Sequence, residues 1–455
     1  MNSNTIAAIS TAQGQGGIGI IRISGSNAIE IADKVFVAVN KKTLSSLGGY
    51  QASYGKAVKD GEIIDEVVAI LYRNPKSYTG EDVVELCCHG GLYVTRSVLR
   101  AVIESGAVLA EPGEFTKRAF LNGKMDLSEA QAVMDIISAK SKQAARAAVS
   151  MRTGALSRKI GNIKSNLVSI AGHLCAWADY PEEDIPEVTS QAIEETLKKS
   201  KEEISELLKN YDTGQAILHG IDTVIAGRPN VGKSTLMNLL SGFDKSIVTE
   251  IPGTTRDVVE ETVIIGNVTL NLCDTAGIRE TDNVVEKIGV DRTYERLSSC
   301  SLVLAVFDSS ENLEDEDIKL IESLKDVPSI AIINKTDLAR KIDTEYIKER
   351  VACVIEISAK SGDGKELLEN AVAEVTGTKD FDPCSGILST ERQRTAASEA
   401  LIAVEDAENT LSMGFSFDAV TVCVEEAIDK LLQLTGENVA DAVVDDVFHS
   451  FCVGK

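Results

Sequence analysis

Hydrophobic residues in the first 120 positions fall in short runs separated by glycine and proline. The runs Gly17–Ser24, Glu62–Tyr72 and Val83–Cys88 contain many β-branched residues and are bounded by turn-forming residues. Short apolar runs with this punctuation predict β-strands. We therefore expect an α+β domain over residues 1–120.

From Asp126 onward, the apolar positions recur at helical spacing. Asp126 and Ser128 are both suitable N-caps for a helix that begins here. A later stretch, Gln191–Tyr211, places isoleucine and leucine on one face, and Glu–Lys pairs four residues apart support it. The turn-like segment Asp212-Thr213-Gly214 is expected to end this helix. The chain becomes helical again after Pro383.

Residues 220–377 show a third pattern, in which apolar strands alternate with helices and each strand ends in a loop rich in Gly, Asp, Asn or Ser. This order predicts a doubly wound, mostly parallel α/β sheet whose ligands lie at the carboxyl ends of the strands. The expected strands are Thr223–Ala226, Thr269–Cys273, Leu302–Phe307, Ser329–Ile333 and Val354–Ile357.

These patterns divide the chain into four segments. An α+β domain over 1–120 precedes a helical segment over 121–219, an inserted α/β domain over 220–377 and a second helical segment over 378–455. We expect the two helical segments to pack together as one discontinuous domain. The arrangement is that of a multidomain α/β and α protein.

Composition narrows the class of protein. Of the 455 residues, 44% are hydrophobic and 25% are charged, which excludes collagen-like, coiled-coil and disordered chains. No apolar run approaches the roughly 18 residues of a membrane span, and the N-terminus lacks the features of a secretory signal. Nine cysteines without a CxxC pair indicate reduced thiols. We expect a cytosolic protein.

The net charge of −24 argues against general nucleic-acid binding, but the charge is unevenly distributed. Residues 136–178 contain no acid and seven bases. This stretch is either a solvated helix face or a local contact surface for a phosphate backbone. The bases are Lys140, Lys142, Arg146, Arg152, Arg158, Lys159 and Lys164.

A phosphate-binding motif follows the first strand of the α/β domain. The segment from Gly227 to Ser234 fits GxxxxGK[ST], in which backbone N–H groups wrap phosphates, Lys233 reaches the β- and γ-phosphates and the Ser234 hydroxyl binds Mg²⁺. The strand before it and the helix after it make a chance match improbable. The expected nucleotide contacts in this loop are Asn230, Val231, Gly232, Lys233, Ser234 and Thr235.

Three further loops predict that the nucleotide is GTP. Asp274 suits the Mg²⁺ shell, and Gly277 can approach the γ-phosphate. Asp337 can accept hydrogen bonds from guanine N1–H and N2–H₂, a donor pair that adenine lacks. The residues assigned to these loops are Asp274, Thr275, Ala276 and Gly277; Asn334, Lys335 and Asp337; and Ser358, Ala359 and Lys360.

The segment between the first two motifs reads as a switch loop. Thr255 is available for Mg²⁺, and Asn230 with the Thr249 and Ile251 carbonyls can form a cage for a monovalent cation. The residue after the DTAG motif is Ile278, which cannot orient a water molecule as the Gln of Ras does. Hydrolysis therefore needs another group. The switch residues are Thr249, Glu250, Ile251, Pro252, Gly253, Thr254 and Thr255.

Taken together, these motifs and the two chain ends resemble the MnmE (TrmE) family of tRNA-modification GTPases over the whole chain. The matching elements are GRPNVGKS, IPGTTRD, DTAGIRE, NKTD and SAK, the ending Phe451–Lys455, and the N-terminal runs Gly19–Gly25, Tyr78–Asp82, His89–Gly91 and Glu111–Lys124.

The resemblance implies a function. Family members act with the flavoprotein MnmG, which carries FAD, to install an aminomethyl or carboxymethylaminomethyl group on C5 of the wobble uridine of certain tRNAs. Their N-terminal domain binds 5-formyl- or 5,10-methylene-tetrahydrofolate and forms a homodimer, and a heterotetramer with MnmG is expected. The positions that match the family's folate contacts are Arg22, Glu81, Lys124 and Lys455.

The resemblance also assigns ions and a catalytic acid. Potassium ligands fall on Asn230, Thr249, Ile251 and Thr254, and magnesium ligands on Ser234 and Thr255. The catalytic glutamate falls on Glu286.

Two questions stay open at this point. Cys452 is either a nucleophile or an exposed thiol, and the family's fixed CxGK ending favours a catalytic role in modification. A ribosome-assembly switch GTPase carries the same four motifs, but usually adds a basic RNA-binding module. A membrane-remodelling GTPase needs a span or lipid anchor. The neutral first domain and acidic last segment favour the modification enzyme.

Overall fold

The fold is that of a computed structural model, which describes residues 4–179, 190–242, 259–273, 300–325 and 327–455. The chain forms two compact units. The first contains residues 1–134 and 432–455, and the second contains residues 135–431.

A seven-stranded sheet forms the centre of the first unit, in the order β3-β4-β5-β6-β2-β1-β7. All neighbours are antiparallel except β1 and β7. The α+β prediction for this region is confirmed. The strands are β1 (Ile6–Ile9), β2 (Gly19–Ser24), β3 (Phe36–Ala38), β4 (Gln51–Lys59), β5 (Glu62–Tyr72), β6 (Val83–Cys88) and β7 (Val108–Leu109).

Helices α1 (Ala28–Val35) and α2 (Leu92–Glu104) share an apolar core with this sheet. A short 3₁₀ helix spans Leu44–Ser46. Two further helices follow, α3 (Glu114–Leu121) and α4 (Leu127–Ser138). Asp126 caps α4, since its Oδ1 accepts from Glu129 N at 2.8 Å.

The helices between residues 142 and 219 are α5 (Lys142–Arg152), α6 (Ala155–Asp179), α7 (Ser190–Lys209) and α8 (Tyr211–His219). The helix expected over 191–211 therefore ends close to its predicted end, at Lys209, but Asp212–Gly214, expected to form the break, lies inside α8. A Cβ at Gly214 would lie 3.3 Å from the Ile387 side chain. The glycine thus permits α8 to pack closely against that residue, and the helical segment ends at Gly220, whose φ is +85°.

The second sheet has six strands in the order β13-β12-β11-β8-β10-β9. All neighbours are parallel except β9 and β10, which confirms the doubly wound, mostly parallel prediction. Its central strands β11 and β12 are buried throughout. The strands are β8 (Ile221–Ala226), β9 (Val259–Ile265), β10 (Val268–Cys273), β11 (Leu302–Asp308), β12 (Ser329–Asn334) and β13 (Cys353–Glu356).

Helices follow four of these strands, β8, β11, β12 and β13, and complete the α/β layers. They are α9 (Lys233–Ser241), α10 (Asp315–Ser323), α11 (Thr344–Lys348) and α12 (Lys365–Val375). After them come α13 (Glu391–Ser412), α14 (Phe417–Thr435) and α15 (Asp441–His449).

Helix α13 lies against α7, where Lys201 Nζ is 3.1 Å from both Glu405 Oε1 and Glu408 Oε2. The C-terminal helix α15 belongs to the first unit, where Phe448 and Phe451 join an apolar cluster with Ala119 and Leu127. Across the described ranges, every helix is too short or too polar to traverse a bilayer.

Candidate functional site

The loop between β8 and α9 is shaped by two glycines. A Cβ at Gly227 would lie 2.4 Å from the Val306 carbonyl oxygen of β11, and one at Gly232 would lie 2.2 Å from the Asn334 side chain. Gly232 also has φ +100°. Because neighbouring elements approach the backbone so closely, only glycine fits at either position. The close packing of neighbouring elements against these two glycines thus fixes the shape of the predicted phosphate-binding loop.

Lys233 folds back over this loop. Its Nζ donates to the carbonyl oxygens of Gly227 at 2.7 Å and Arg228 at 2.8 Å. Burial lowers the pKa of Lys233. The ammonium therefore lies over the backbone of the loop, and its contact with phosphates stays a prediction. Ser234 and Thr235 follow in the first turn of α9.

One buried amide joins the two loops predicted to recognise the base to the predicted phosphate-binding loop. Asn334 Nδ2 donates to the Val231 carbonyl at 3.0 Å, and Asn334 Oδ1 accepts from Ala359 N at 3.0 Å. Asp337 Oδ1 accepts from the Ser358 hydroxyl at 2.7 Å. Three loops that are distant in sequence thus meet at the carboxyl edge of the sheet.

Lys335 makes a second connection between these loops. It has φ +62°, and its Nζ donates to the Asn230 carbonyl at 2.7 Å and to Asp308 Oδ2 at 2.5 Å. Burial alone would raise the pKa of Asp308, but hydrogen bonds from Lys335 and Ser310 outweigh it and the pKa is lowered. Sequence reasoning missed Asp308, although an acid that closes an apolar strand was a usable signal.

The remaining predicted nucleotide residues lie outside the described residues. They comprise the switch segment, the DTAG loop and the assigned catalytic acid. Their roles stay predictions. They are Thr249, Glu250, Ile251, Pro252, Gly253, Thr254, Thr255, Asp274, Thr275, Ala276, Gly277 and Glu286.

A second group of predicted residues meets in the first unit, around Arg22. The guanidinium donates from Nε to Glu85 Oε1 at 2.9 Å and from Nη1 to the Gly454 carbonyl at 3.3 Å. It lies 5.5 Å from the Tyr78 ring centroid and 5.6 Å from that of Phe115. Arg22 therefore contacts both aromatic rings and the C-terminal tail, which we define as residues 451–455.

Further hydrogen bonds fix this tail. Gly113 N donates to the Cys452 carbonyl at 3.4 Å, and Phe115 N donates to the Lys455 carbonyl at 3.2 Å. Burial lowers the pKa of Lys455, and the nearby charge of Arg22 lowers it further. Two cations are thus close together with Glu85 as a compensating acid, an arrangement that suits a negatively charged ligand. Cys452 is half-buried beside them.

Glu81 is held by groups that sequence reasoning did not identify. Its carboxylate accepts from Arg118 Nη1 at 3.2 Å and from the Ser24 hydroxyl at 2.7 Å. Lys124 Nζ donates to the Pro75 carbonyl at 3.0 Å. The residues assigned to folate by resemblance therefore lie around one segment, residues 75–81, and the tail docked near it.

The sheet order and the three joined loops define a P-loop GTPase domain. Residues 5–124 match the family described as GTP-binding protein TrmE N-terminus, and residues 127–452 match the MnmE helical domain. The chain belongs to the MnmE family of tRNA modification GTPases, and it is a GTP hydrolase. The recognition made from the motifs is confirmed.

Curated relatives cover the whole chain. The tRNA modification GTPase MnmE of Acetivibrio thermocellus is 43% identical over 460 residues, which is 99% of each chain. That of Clostridioides difficile is 41% identical over 455 residues, again 99% of each chain.

Proposed function

We propose that this GTPase acts on tRNA and, with the flavoprotein MnmG, installs an aminomethyl or carboxymethylaminomethyl group on C5 of the wobble uridine. The observation that carries the proposal is the docked tail, which holds Cys452 and Lys455 next to Arg22. Family membership favours this function over the ribosome-assembly alternative.

The residues around Arg22 fit a tetrahydrofolate, which would supply a one-carbon unit. Arg22 and Lys455 offer two cations for its glutamate tail, and Glu81 offers a carboxylate for the N–H groups of the pterin. Tyr78 and Phe115 supply aromatic surface. Lys124 lies at the far side of the same segment. The donor set matches the chemistry of folate.

Binding of 5-formyltetrahydrofolate to the full chain tests this site. Titration calorimetry should show binding by the wild type and a loss of about tenfold or more for Arg22→Ala, since an ion pair to a carboxylate is removed. Lys319→Ala, an exposed lysine of α10, is the control and should bind normally. Equal binding by Arg22→Ala would contradict the folate assignment.

Cys452 is proposed to serve modification and not GTP hydrolysis, because the tail belongs to the first unit and the nucleotide loops belong to the second. Cys452→Ser should leave the GTPase rate near that of the wild type and abolish modified uridine, measured by mass spectrometry of tRNA. Cys384→Ser, another thiol accessible to solvent, is the control. Normal modification by Cys452→Ser would remove this thiol from the mechanism.

For hydrolysis we propose Mg²⁺ at Ser234 and Thr255, and K⁺ at Asn230, Thr249, Ile251 and Thr254. The Asn230 carbonyl is occupied by Lys335, so its side-chain oxygen is the group that remains for a cation. Positive charge near the β- and γ-phosphates would replace an arginine finger, which typically contributes about 10³–10⁵ in rate. Glu286 would orient the attacking water. The cage would be complete when two GTPase domains of a homodimer close.

The choice of salt tests the cation. Hydrolysis at saturating GTP and Mg²⁺ should be roughly 10²-fold faster in KCl than in NaCl, the size of one preorganised electrostatic contact. Asn230→Ala should erase the difference, and the exposed control Asn238→Ala should keep it. Glu286→Ala should bind GTP without turnover. Equal wild-type rates in the two salts would refute the cation mechanism.

A further inference from the structure

The side chain of Arg228, the second residue of the phosphate-binding motif, points away from the nucleotide loop and into a group of carboxylates. Its Nη2 lies 3.2 Å from Glu311 Oε2, its Nη1 lies 2.7 Å from Glu314 Oε1 and its Nε lies 2.7 Å from Asp317 Oδ2. Only 12% of the Arg228 side chain is exposed. The motif therefore contains one residue, Arg228, to which the predicted nucleotide contacts assign no role.

The three acids are not equivalent. The side chains of Glu311 and Glu314 are 56% and 63% exposed, so solvent screens their pairing. Asp317 is 3% exposed, and within the described parts of the chain neither its Oδ1 nor Arg228 Nε has a hydrogen-bond partner, so the two side chains meet as an ion pair at 2.7 Å. A buried carboxylate of this kind depends on its counter-charge. Of the three ion pairs, Arg228–Asp317 is therefore the one expected to contribute most to holding the Arg228 side chain.

Asp317 is itself fixed within α10. It occupies the third position of the helix, and its Oδ2 accepts from the Glu314 backbone N at 3.0 Å in a capping box. The carboxylate is therefore part of a rigid helix start. Arg228 is therefore anchored to the first turn of a helix.

The backbone of Arg228 connects this anchor to the nucleotide. Its carbonyl accepts from Lys233 Nζ at 2.8 Å. Pro229 follows directly and restricts the Arg228 backbone to extended conformations. Four side-chain torsions separate the guanidinium from this backbone, but only 12% of the side chain is exposed, so packing restricts them and couples the guanidinium position to the carbonyl position.

We propose that Arg228 and Asp317 are positioning residues of the GTPase site. The buried pair holds the first half of the phosphate-binding loop, so that the Gly227 and Arg228 carbonyls place the Lys233 ammonium where it meets the nucleotide's phosphates. Neither side chain touches the nucleotide in this scheme. Its effect should therefore fall on phosphate binding and leave base recognition unchanged.

The test is equilibrium binding of GDP and IDP, with Mg²⁺, to the full-length protein. Asp317→Asn should raise the Kd for GDP about tenfold, the loss expected when one charge-assisted contact to the loop is weakened. The ratio of GDP to IDP affinity should stay at the wild-type value, because Asn334 and Asp337 are intact. A substitution that only loosened the fold would change both the Kd for GDP and the ratio of GDP to IDP affinity.

Glu311→Gln is the matched control, since it removes an exposed acid from the same guanidinium and should change the GDP Kd less than about twofold. If Asp317→Asn does not fold, Arg228→Lys provides the same test with the charge retained, and it should weaken GDP binding with the GDP-to-IDP ratio unchanged. Wild-type GDP affinity in the folded variant, or a changed ratio, would overturn the proposal.

Discussion

The docking of the C-terminal tail depends on Gly454, and Gly454→Ala is predicted to release it. Gly454 has φ +96°, where an alanine is strained by about 1–3 kcal/mol. Its added Cβ would lie 2.4 Å from the Ile9 carbonyl oxygen, closer than real contacts allow. The tail must then move away from β1.

The size of the effect follows from the hydrogen bonds of the tail. The Gly454 carbonyl accepts from Ser10 Oγ at 3.1 Å and from Arg22 Nη1 at 3.3 Å, and Gly113 N and Phe115 N donate to the tail. At about 0.5–1.5 kcal/mol each, the four bonds hold residues 452–455 by about 2–6 kcal/mol, while Phe451 is held separately by its apolar cluster. The backbone strain and the loss of the two hydrogen bonds to the Gly454 carbonyl together remove a comparable amount of this stabilisation. We therefore expect an undocked tail.

Hydrogen–deuterium exchange of the tail measures docking directly, and mass spectrometry of tRNA measures its consequence. Gly454→Ala should exchange faster in residues 452–455, lose modified uridine and hydrolyse GTP at the wild-type rate. Gly61→Ala is the control, because its φ is +83° but no atom lies within 4 Å of its added Cβ. Wild-type protection of the tail would refute the steric argument. A released tail with normal modification would refute its functional role.

Three further predictions concern charge. Reversing the charges of Lys142, Arg146 and Arg152 together should weaken tRNA binding and reduce the slope of log binding constant against log salt concentration by about two units. Reversing the charges of Lys198 and Lys199 on α7 should change neither quantity. An unchanged slope in the triple variant would show that this stretch is a solvated helix face. Burial raises the pKa of Asp135 to about 7. The folded state therefore holds a proton that the unfolded chain releases near pH 4, and the free energy of unfolding decreases as the pH rises from about 4 to 7. Asp135→Asn should therefore melt higher than wild type at pH 8 and equally at pH 4 by calorimetry, and equal melting at both would contradict the burial argument. Asp308→Asn should raise the GDP Kd about fivefold, because a charge-assisted hydrogen bond to Lys335 becomes a neutral one; unchanged affinity would show that Lys335 needs no counter-charge.

The strands and loops of the GTPase domain could be predicted because their information is local. A parallel strand buried on both faces is a continuous apolar run, and the loop that follows it carries the ligand chemistry in consecutive residues. The run 302–307 and the motif 227–234 needed no knowledge of distant contacts. The same logic predicted that the loops at 334–337 and 358–360 share an edge of the sheet.

Two differences between the predicted and the observed elements have local physical causes. Strand β4 was missed, although Asp60 and Gly61, both with positive φ, form a two-residue turn between Lys59 and Glu62, and an Asp-Gly pair between strands is a strong hairpin signal. Gly214 predicts a helix break when it is considered alone, because glycine has a low helix propensity. Its use in packing against Ile387 is a tertiary contact, and propensity does not report it.

The predicted nucleotide residues and the predicted folate residues are each held by a buried or half-buried arginine that has at least one partner from a distant part of the chain. Arg228 finds Asp317 on a helix that begins 87 residues later, and Arg118 connects Glu114 of its own helix to Glu81. The acidic half of this chain offers Arg228 many carboxylates, and sequence spacing does not rank them. Burial selects the partner of Arg228, because a carboxylate that the fold removes from water gains the most stabilisation from a neighbouring guanidinium. Residues that touch a ligand can thus be found from motifs, whereas those that position them emerge only when the chain is packed.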